Sequence, residues 1–414
     1  MHVLITGGAG FIGSHLSERL IKEGHSVTAL DDLSTGRREN LASLEGSNSF
    51  SFVEGTILDM ELVQKHVDEA DVVFHLAAAV GVKLIMDEPS RSILTNITGT
   101  ENVLKAAIPG KKLTFVASTS EVYGKTTKFP FNEEDDLTIG ATKNLRWSYA
   151  CAKTLDEFLA LAYHREVDLP VIVLRFFNTT GPRQTGRYGM VLPNFVQNAL
   201  DGKPLKVHGT GDQSRCFGHV KDVVESLFRL MSTPSAPGQV FNIGTDREIS
   251  IRGLAEKVIE ATGSASAIEY VSYESVYPVG FEDMNRRLPD VSKLQSTIGF
   301  APKTPPPSST PSSAPAPPPS PASRPTASAS ASRRNASIST SPSSASNVPT
   351  PTQASLREPS RDHTQRHHRP TPRRPPQRHR RGQGRATHRE TRRAQRPRDV
   401  RNAARQRRAK RPRG

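Results

Sequence analysis

Residues 5–13 read ITGGAGFIG, with an apolar, β-branched run ahead of them (HVLIT, 2–6) and a helical pattern behind them (SHLSERLIKEG, 14–24) that ends at Gly24. Gly7, Gly8, Gly10 and Gly13 therefore lie between a predicted strand and a predicted helix, as a dinucleotide fingerprint requires. Glycines there let the backbone turn tightly and approach a pyrophosphate resting on the helix N-terminus. Asp31 follows Gly13 by 18 positions, at the end of the next strand-like run, SVTALDD (26–32). A carboxylate at that place accepts hydrogen bonds from the adenosine ribose and repels a 2′-phosphate, so the expected cofactor is NAD rather than NADP. Asp32 is the alternative carboxylate for that role.

Working outward, short apolar runs alternate with helical ones up to about residue 120: SFVEGTI (51–57), DVVFHLAAAV (71–80), ITGTENVLKAAI (97–108) and LTFVAST (113–119). Such alternation predicts an α/β fold with a Rossmann-type, doubly wound parallel sheet. An amphipathic helix over 146–165 and a strand in PVIVLRFFN (170–178) complete a first domain, 1–178. The pattern from 179 to 304 is less regular and predicts a smaller, mixed α/β substrate-binding domain, partly interleaved with the first.

Composition separates a third segment. Residues 305–414 contain no Phe, Tyr, Trp or Met and only Ile338, Val348, Leu356 and Val400 among Ile, Leu and Val, too little to offset ordering entropy. A disordered C-terminal tail is expected. It carries 25 Lys and Arg against 4 Asp and Glu, while residues 1–304 carry 31 against 37, so the net charge of +15 divides into +21 and −6. The basic balance therefore says nothing about the folded part. Cys151 and Cys216 are too far apart for a metal-ligand spacing or a disulfide framework, so no metal is expected. No leader and no run long enough to cross a membrane is visible, and the expected location is cytoplasmic.

In WSYACAKTLDEFLA (147–160), Tyr149 and Lys153 stand at i and i+4 and share one helix face. An ammonium beside a phenol favours phenolate, so the pair, helped by the positive charge of an oxidised nicotinamide, is expected to lower the Tyr149 pKa towards neutrality and make it a base for a substrate hydroxyl.

The ordered set TGGAGFIG (6–13), STSEVYG (118–124), YACAK (149–153) and RFFNTTGPR (175–183) resembles the extended short-chain dehydrogenases/reductases, within their nucleotide-sugar epimerase, dehydratase and decarboxylase group. The resemblance covers residues 1–304. It implies NAD held by a Rossmann domain, a nucleoside diphosphate sugar held by the second domain, and a reaction opened by oxidation at sugar C4. Thr119, Tyr149 and Lys153 would be catalytic, with Glu121 beside them. Gly7, Gly10, Phe11, Ile12, Asp31, Leu76, Ala77, Ala78, Asn96 and Phe176 match cofactor-contact positions. Asn178, Arg215, Arg287 and Asp290 match positions that hold the sugar nucleotide. In EGTILD (54–59) Thr56 stands where the family commonly has Asp against adenine, with Ile57 still expected to pack on the ring. A homodimer through the helix bearing Tyr149 and its neighbour near 92–108 is also implied.

A 4-keto sugar has three fates: reduction on the other face, loss of the C6 carboxylate, or loss of the C6 hydroxyl. Ser120 speaks against the Thr-Asp-Glu dehydratases, because a hydroxyl is a poor acid. IGATKNLRWSYACAK (139–153) is similar to a region of UDP-glucuronate decarboxylases, whereas NTTGPRQTGRYGMVLPNF (178–195) looks closer to UDP-glucuronate 4-epimerases. There Arg187 would pair with the C6 carboxylate and suppress its loss. The expectation is therefore a UDP-sugar 4-epimerase acting on UDP-glucuronate or UDP-glucose, ahead of UDP-glucuronate decarboxylase and then a 4,6-dehydratase.

A different class of function rests on the tail. Arg-rich segments bind phosphate backbones through counterion release, which would make the chain nucleic-acid-associated. Yet 24 of the 25 basic residues there are Arg, the pattern of GC-rich DNA read out of frame. STIGFAPKTP (296–305) moreover resembles a family ending normally followed by one more helix. A frameshift is the leading account of residues 305–414.

Overall fold

The computed structural model describes residues 1–186, 190–272, 275 and 282–304, without the side chains of 82–84. Arg187 and the tail from 305 onward lie outside the described residues.

The strands are β1 (His2–Thr6), β2 (Ser26–Asp31), β3 (Phe50–Glu54), β4 (Val72–His75), β5 (Leu113–Thr119), β6 (Val171–Phe176), β7 (Thr179–Thr180), β8 (Leu205–His208), β9 (Ser214–Cys216), β10 (Gly218–His219), β11 (Gln239–Ile243), β12 (Glu248–Ser250), β13 (Ile268–Val271) and β14 (Arg286–Arg287). The helices are α1 (Phe11–Lys22), α2 (Met60–Glu69), α3 (Val82–Asp87), α4 (Pro89–Ala107), α5 (Ser148–Val167), α6 (Val191–Leu200), α7 (Val220–Met231), α8 (Ile251–Thr262) and α9 (Ser292–Ile298). Seven strands form one sheet in the order β11-β6-β5-β4-β1-β2-β3, and every pairing in it is parallel.

Both sheet faces are covered, which is why the strands read as continuous apolar runs rather than alternating ones. Val3, Ile5, Phe74, Phe115 and Leu174 point to one face, against Leu16 and Leu20 of α1 and Val223 and Leu227 of α7. Leu4, Val73, Val116 and Val173 point to the other, against Val63 and Val67 of α2, Val103 and Leu104 of α4 and Ala160 of α5. Each such buried side chain contributes about 1.5–3 kcal/mol.

The chain crosses from β3 to β4 over the first-formed half of the sheet, so the strand order reverses between β1 and β4. In open parallel sheets the crevice for a ligand lies at that switch, beyond the strand C-terminal ends. The loops after β1, β2, β4, β5 and β6 all open there.

After β6 the chain pairs β10 with β7 and builds a second lobe from two further small sheets, β13-β8 and β12-β9-β14. They pack with α6 and α8 through Leu192, Phe195, Leu205, Val207, Phe217 and Leu254. Helix α7 and strand β11, which lie in sequence within that lobe, return to the large sheet: α7 packs on α1 and β11 pairs with β6. The helix bearing Tyr149 begins at Ser148, after a 3-10 turn over Leu145–Trp147, and runs to Val167.

Candidate active site

A cavity of about 680 Å³ runs from the glycine loop to the second lobe. At its sheet end, Gly7 has φ +73° and donates its N–H to Leu30 O at 2.8 Å. A Cβ on Gly7 would stand 2.7 Å from Ala77 N, and one on Gly13 would stand 2.3 Å from Gly7 O. These glycines allow β1, the β4 loop and α1 to meet closely, and they leave the first N–H groups of α1 facing the cavity as an anion site. Asp31 is buried at the end of β2. Its carboxylate accepts Ala9 N–H at 3.0 Å and Leu33 N–H at 2.8 Å, which orients it beside the loop. Burial raises its pKa above the usual carboxylate range, with those two backbone donors opposing. The close-fitting loop and oriented carboxylate fit the pyrophosphate and ribose of NAD.

At the reacting end, Thr119 closes β5 and caps the 3-10 turn Ser120–Tyr123 by accepting Glu121 N–H at 3.2 Å. An oxygen that accepts this bond keeps its proton for a substrate oxygen. Tyr149 and Lys153 line the same cavity from the first turns of α5. Burial raises the Tyr149 pKa well above the usual phenol value, and the Glu121 and Asp156 carboxylates push the same way, with Arg146 opposing. The lowered phenol expected from the Tyr-Lys spacing is thus not produced by the protein's own groups. Burial is the first reason, and Lys153 is moreover engaged elsewhere: its Nζ donates to Asp156 Oδ2 at 2.8 Å, in a pair whose side chains are both 1% exposed. That carboxylate opposes the ammonium's effect on the phenol.

Beyond Tyr149, two carboxylates face three guanidinium groups. Glu121 pairs with Arg146 through one oxygen and with Arg287 at 3.4 Å through the other. Asp283 pairs with Arg215 at 3.0 Å, Arg287 at 3.4 Å and Arg146 at 3.7 Å. Burial acts to raise the Glu121 pKa, but the charges of Arg146 and Arg287 outweigh it and lower the carboxyl to about 2. The cluster keeps one positive charge in excess, suited to a diphosphate.

Most of the residues expected from sequence come together on this cavity wall: Gly7, Gly10, Phe11, Ile12, Gly13, Asp31, Leu76, Ala77, Ala78, Thr119, Ser120, Glu121, Tyr149, Lys153, Phe176, Asn178, Arg215 and Arg287. Four stand off it. Asp32 is exposed and accepts Ser34 N–H at 3.0 Å, because β2 ends at Asp31 and Asp32 already belongs to the loop that follows it. Ile57 is buried in the core, where a Cβ on Gly99 would stand 2.1 Å from its Cδ1. Asn96 is buried behind the wall, binding Ala79 N and O at 2.9 and 3.1 Å. It braces the loop that presents Leu76–Ala78. Asp290 accepts from Ser292 N–H and Asn132 Nδ2, at 2.9 and 3.0 Å, and fixes the start of α9. Arg187 is outside the described residues.

Sequence reasoning missed Arg146 and Asp283. Signals for both existed: Arg146 lies three residues before Tyr149, one helical turn away, and Asp283 lies four before Arg287. Arg183, within RFFNTTGPR but given no role, binds Glu18 and donates to Ser14 Oγ at 3.2 Å, tying the loop after β7 to α1. Among the described residues no group of three or more His, Cys, Asp or Glu is placed to hold a metal.

Residues 3–244 match the NAD dependent epimerase/dehydratase family. The chain belongs to this family. It is 47% identical over 300 residues to the UDP-N-acetyl-alpha-D-glucosaminuronate decarboxylase of Bacillus cytotoxicus, covering 72% of this chain and 92% of that one. It is 35% identical to UDP-glucuronic acid decarboxylase 1 of Xenopus tropicalis, over 73% of this chain and 69% of the relative. Among solved structures, UDP-glucuronic acid 4-epimerase from Bacillus cereus, in complex with UDP-glucuronic acid and NAD, superposes with a TM-score of 0.65. It is 29% identical, over 73% of this chain and 95% of that one. The family requires NAD, and the glycine loop and Asp31 are the parts of this chain that fit it. No helix among the described residues is long and apolar enough to cross a membrane.

Proposed function

We propose that the protein is an NAD-dependent decarboxylase of a UDP-linked hexuronate, with UDP-N-acetylglucosaminuronate as first substrate and UDP-glucuronate as second. The observation that carries this reading is the 47% identity to the Bacillus cytotoxicus decarboxylase across 92% of its length. It reverses the order expected from sequence, where 4-epimerisation stood first on the strength of Arg187.

NAD, when bound, supplies the acceptor and donor of the C4 hydride. Tyr149 takes the proton of the C4 hydroxyl, and the Thr119 hydroxyl donates to the same oxygen. The product of that step is a β-keto acid, whose C5–C6 bond breaks to release carbon dioxide and leave an enolate. C5 then takes one proton, the C4 ketone is reduced, and Tyr149 returns its proton to the C4 oxygen. The sum is UDP-hexuronate plus one proton giving UDP-pentose plus carbon dioxide.

Glu121 is held ionised by Arg146 and Arg287 and is a poor proton donor near neutral pH. Its charge disfavours a second carboxylate in the sugar pocket, and its salt bridges keep Arg146 and Arg287 engaged. Both effects favour loss of carbon dioxide over retention of the acid. The second reading, 4-epimerisation, is favoured by the likeness to the Bacillus cereus epimerase. Incubation with each uronate and NAD, with products resolved by chromatography and mass, separates the two. A UDP-pentose supports the proposal, and an uronate of unchanged mass overturns it.

Assembly as a homodimer belongs to the same proposal. Helices α4 and α5 pack side by side and expose Leu94, Leu155 and Phe158, at 62%, 48% and 67%. Together these side chains make an apolar surface that a second copy would cover.

A further inference from the structure

We propose that Asp156 is a positioning residue that compensates the charge of Lys153 and so sets how readily Tyr149 ionises. Asp156 lies one turn beyond Lys153 on α5, and the pair is sealed from solvent with a 2.8 Å bond. Burying an ion pair costs desolvation that a well-packed apolar pair avoids, so folding alone gives no reason for it here. Burial raises the Asp156 pKa, and the Lys153 ammonium and the Thr100 hydroxyl of α4 oppose it, the ammonium being its one cationic partner among the described residues.

The charged and titratable neighbours on each packed element do not take over this role. Glu157, next on α5, is bound by Arg175 of β6 at 2.8 Å. His75 of β4 is held between the Thr6 and Thr100 hydroxyls at 2.8 and 3.1 Å, and burial, aided by Lys153, lowers its pKa to about 3, so it is neutral. Glu121 and Arg146, which act on Tyr149 from the turn after β5 and the turn before α5, are paired with each other. Asp156 is left as the acid that answers Lys153.

The chemistry gives this a purpose. Tyr149 must accept a proton when C4 is oxidised and return it when C4 is reduced, which works best when its pKa lies near the working pH. The Lys153 ammonium favours the phenolate and so the departure of the proton, whereas burial and the Asp156 carboxylate favour the phenol and so its return. Asp156 thereby sets the balance between the two half-steps. The inference rests on Tyr149 being the base, as in the proposed function, but not on which sugar is bound.

The test is an ultraviolet titration of phenolate in the NAD-loaded protein, with each curve corrected against the same protein carrying Tyr149→Phe. Asp156→Asn should lower the Tyr149 midpoint by about one pH unit, and Asp156→Glu should restore it. Lys153→Met should raise it, and the double variant Lys153→Met/Asp156→Leu should return it close to the wild-type value. A merely structural Asp156 would change the melting temperature without moving the midpoint. An unchanged or raised midpoint in Asp156→Asn overturns the proposal. If that variant does not fold, a double variant that titrates like Lys153→Met alone overturns it instead. Because no substrate is present, failure of decarboxylation would leave this result standing.

Discussion

At the scale of single residues, Glu121 is the group whose state most affects the chemistry. Its folded pKa of about 2 lies below the unfolded value of 4.5, so the stabilisation it contributes is present above pH 4.5 and is lost as pH falls through about 2. The shift corresponds to roughly 3 kcal/mol. Denaturant midpoints measured over that acid range should fall steeply for the wild type and more shallowly for Glu121→Gln. At neutral pH the same variant should be less stable than wild type, because two buried arginines lose one of the two carboxylates they share and are left with Asp283. Tyr149→Phe should retain NAD binding, seen by fluorescence quenching, while turnover falls by about 100-fold or more. Tyr149 and Lys153 were legible in sequence because their spacing alone puts them on one helix face. The effect of Asp156 was not, since an acid three residues past a lysine reads as an ordinary exposed pair until burial is known. Arg146 was hidden for the same reason: nothing in LRWSYACAK says that this arginine is 1% exposed.

At the scale of elements, the glycine loop and the β4 loop act as one part. Gly13→Ala would press a methyl group against Gly7 O and the Gly8 Cα, both backbone atoms that cannot swing aside. The expected cost is about 1–3 kcal/mol of stability, with weaker NAD binding by calorimetry. Asn96→Ala should leave the Ala79 N–H without its acceptor, with the Ala79 carbonyl still held by Ser92 Oγ at 3.1 Å, a loss of about 1–3 kcal/mol that also weakens NAD binding. Wild-type affinity in Asn96→Ala would refute the bracing role. The Rossmann elements were legible because a doubly buried parallel sheet writes itself as continuous apolar runs. Strands of two or three residues such as β7, β10 and β14 write no period at all. The return of α7 and β11 to the large sheet was equally hidden, for it depends on long-range packing of Val223 and Leu227 against α1.

At the scale of the whole molecule, the exposed apolar side chains of α4 and α5 set an expectation for assembly. Light scattering should give a dimer for the wild type and a monomer for Phe158→Glu, and a monomeric wild type would refute the proposed contact. The larger question is the fate of the 4-keto acid, and here the sequence expectation leaned on Arg187. The described site instead holds an ionised Glu121 bridging two arginines, which argues for release of the carboxyl group. The most direct measurement uses UDP-N-acetylglucosaminuronate labelled with carbon-13 at C6, in deuterated buffer with NAD. The account predicts labelled carbon dioxide in step with a UDP-N-acetylpentosamine carrying deuterium at C5. Label retained in a C4-inverted uronate with no deuterium at C5 would contradict it.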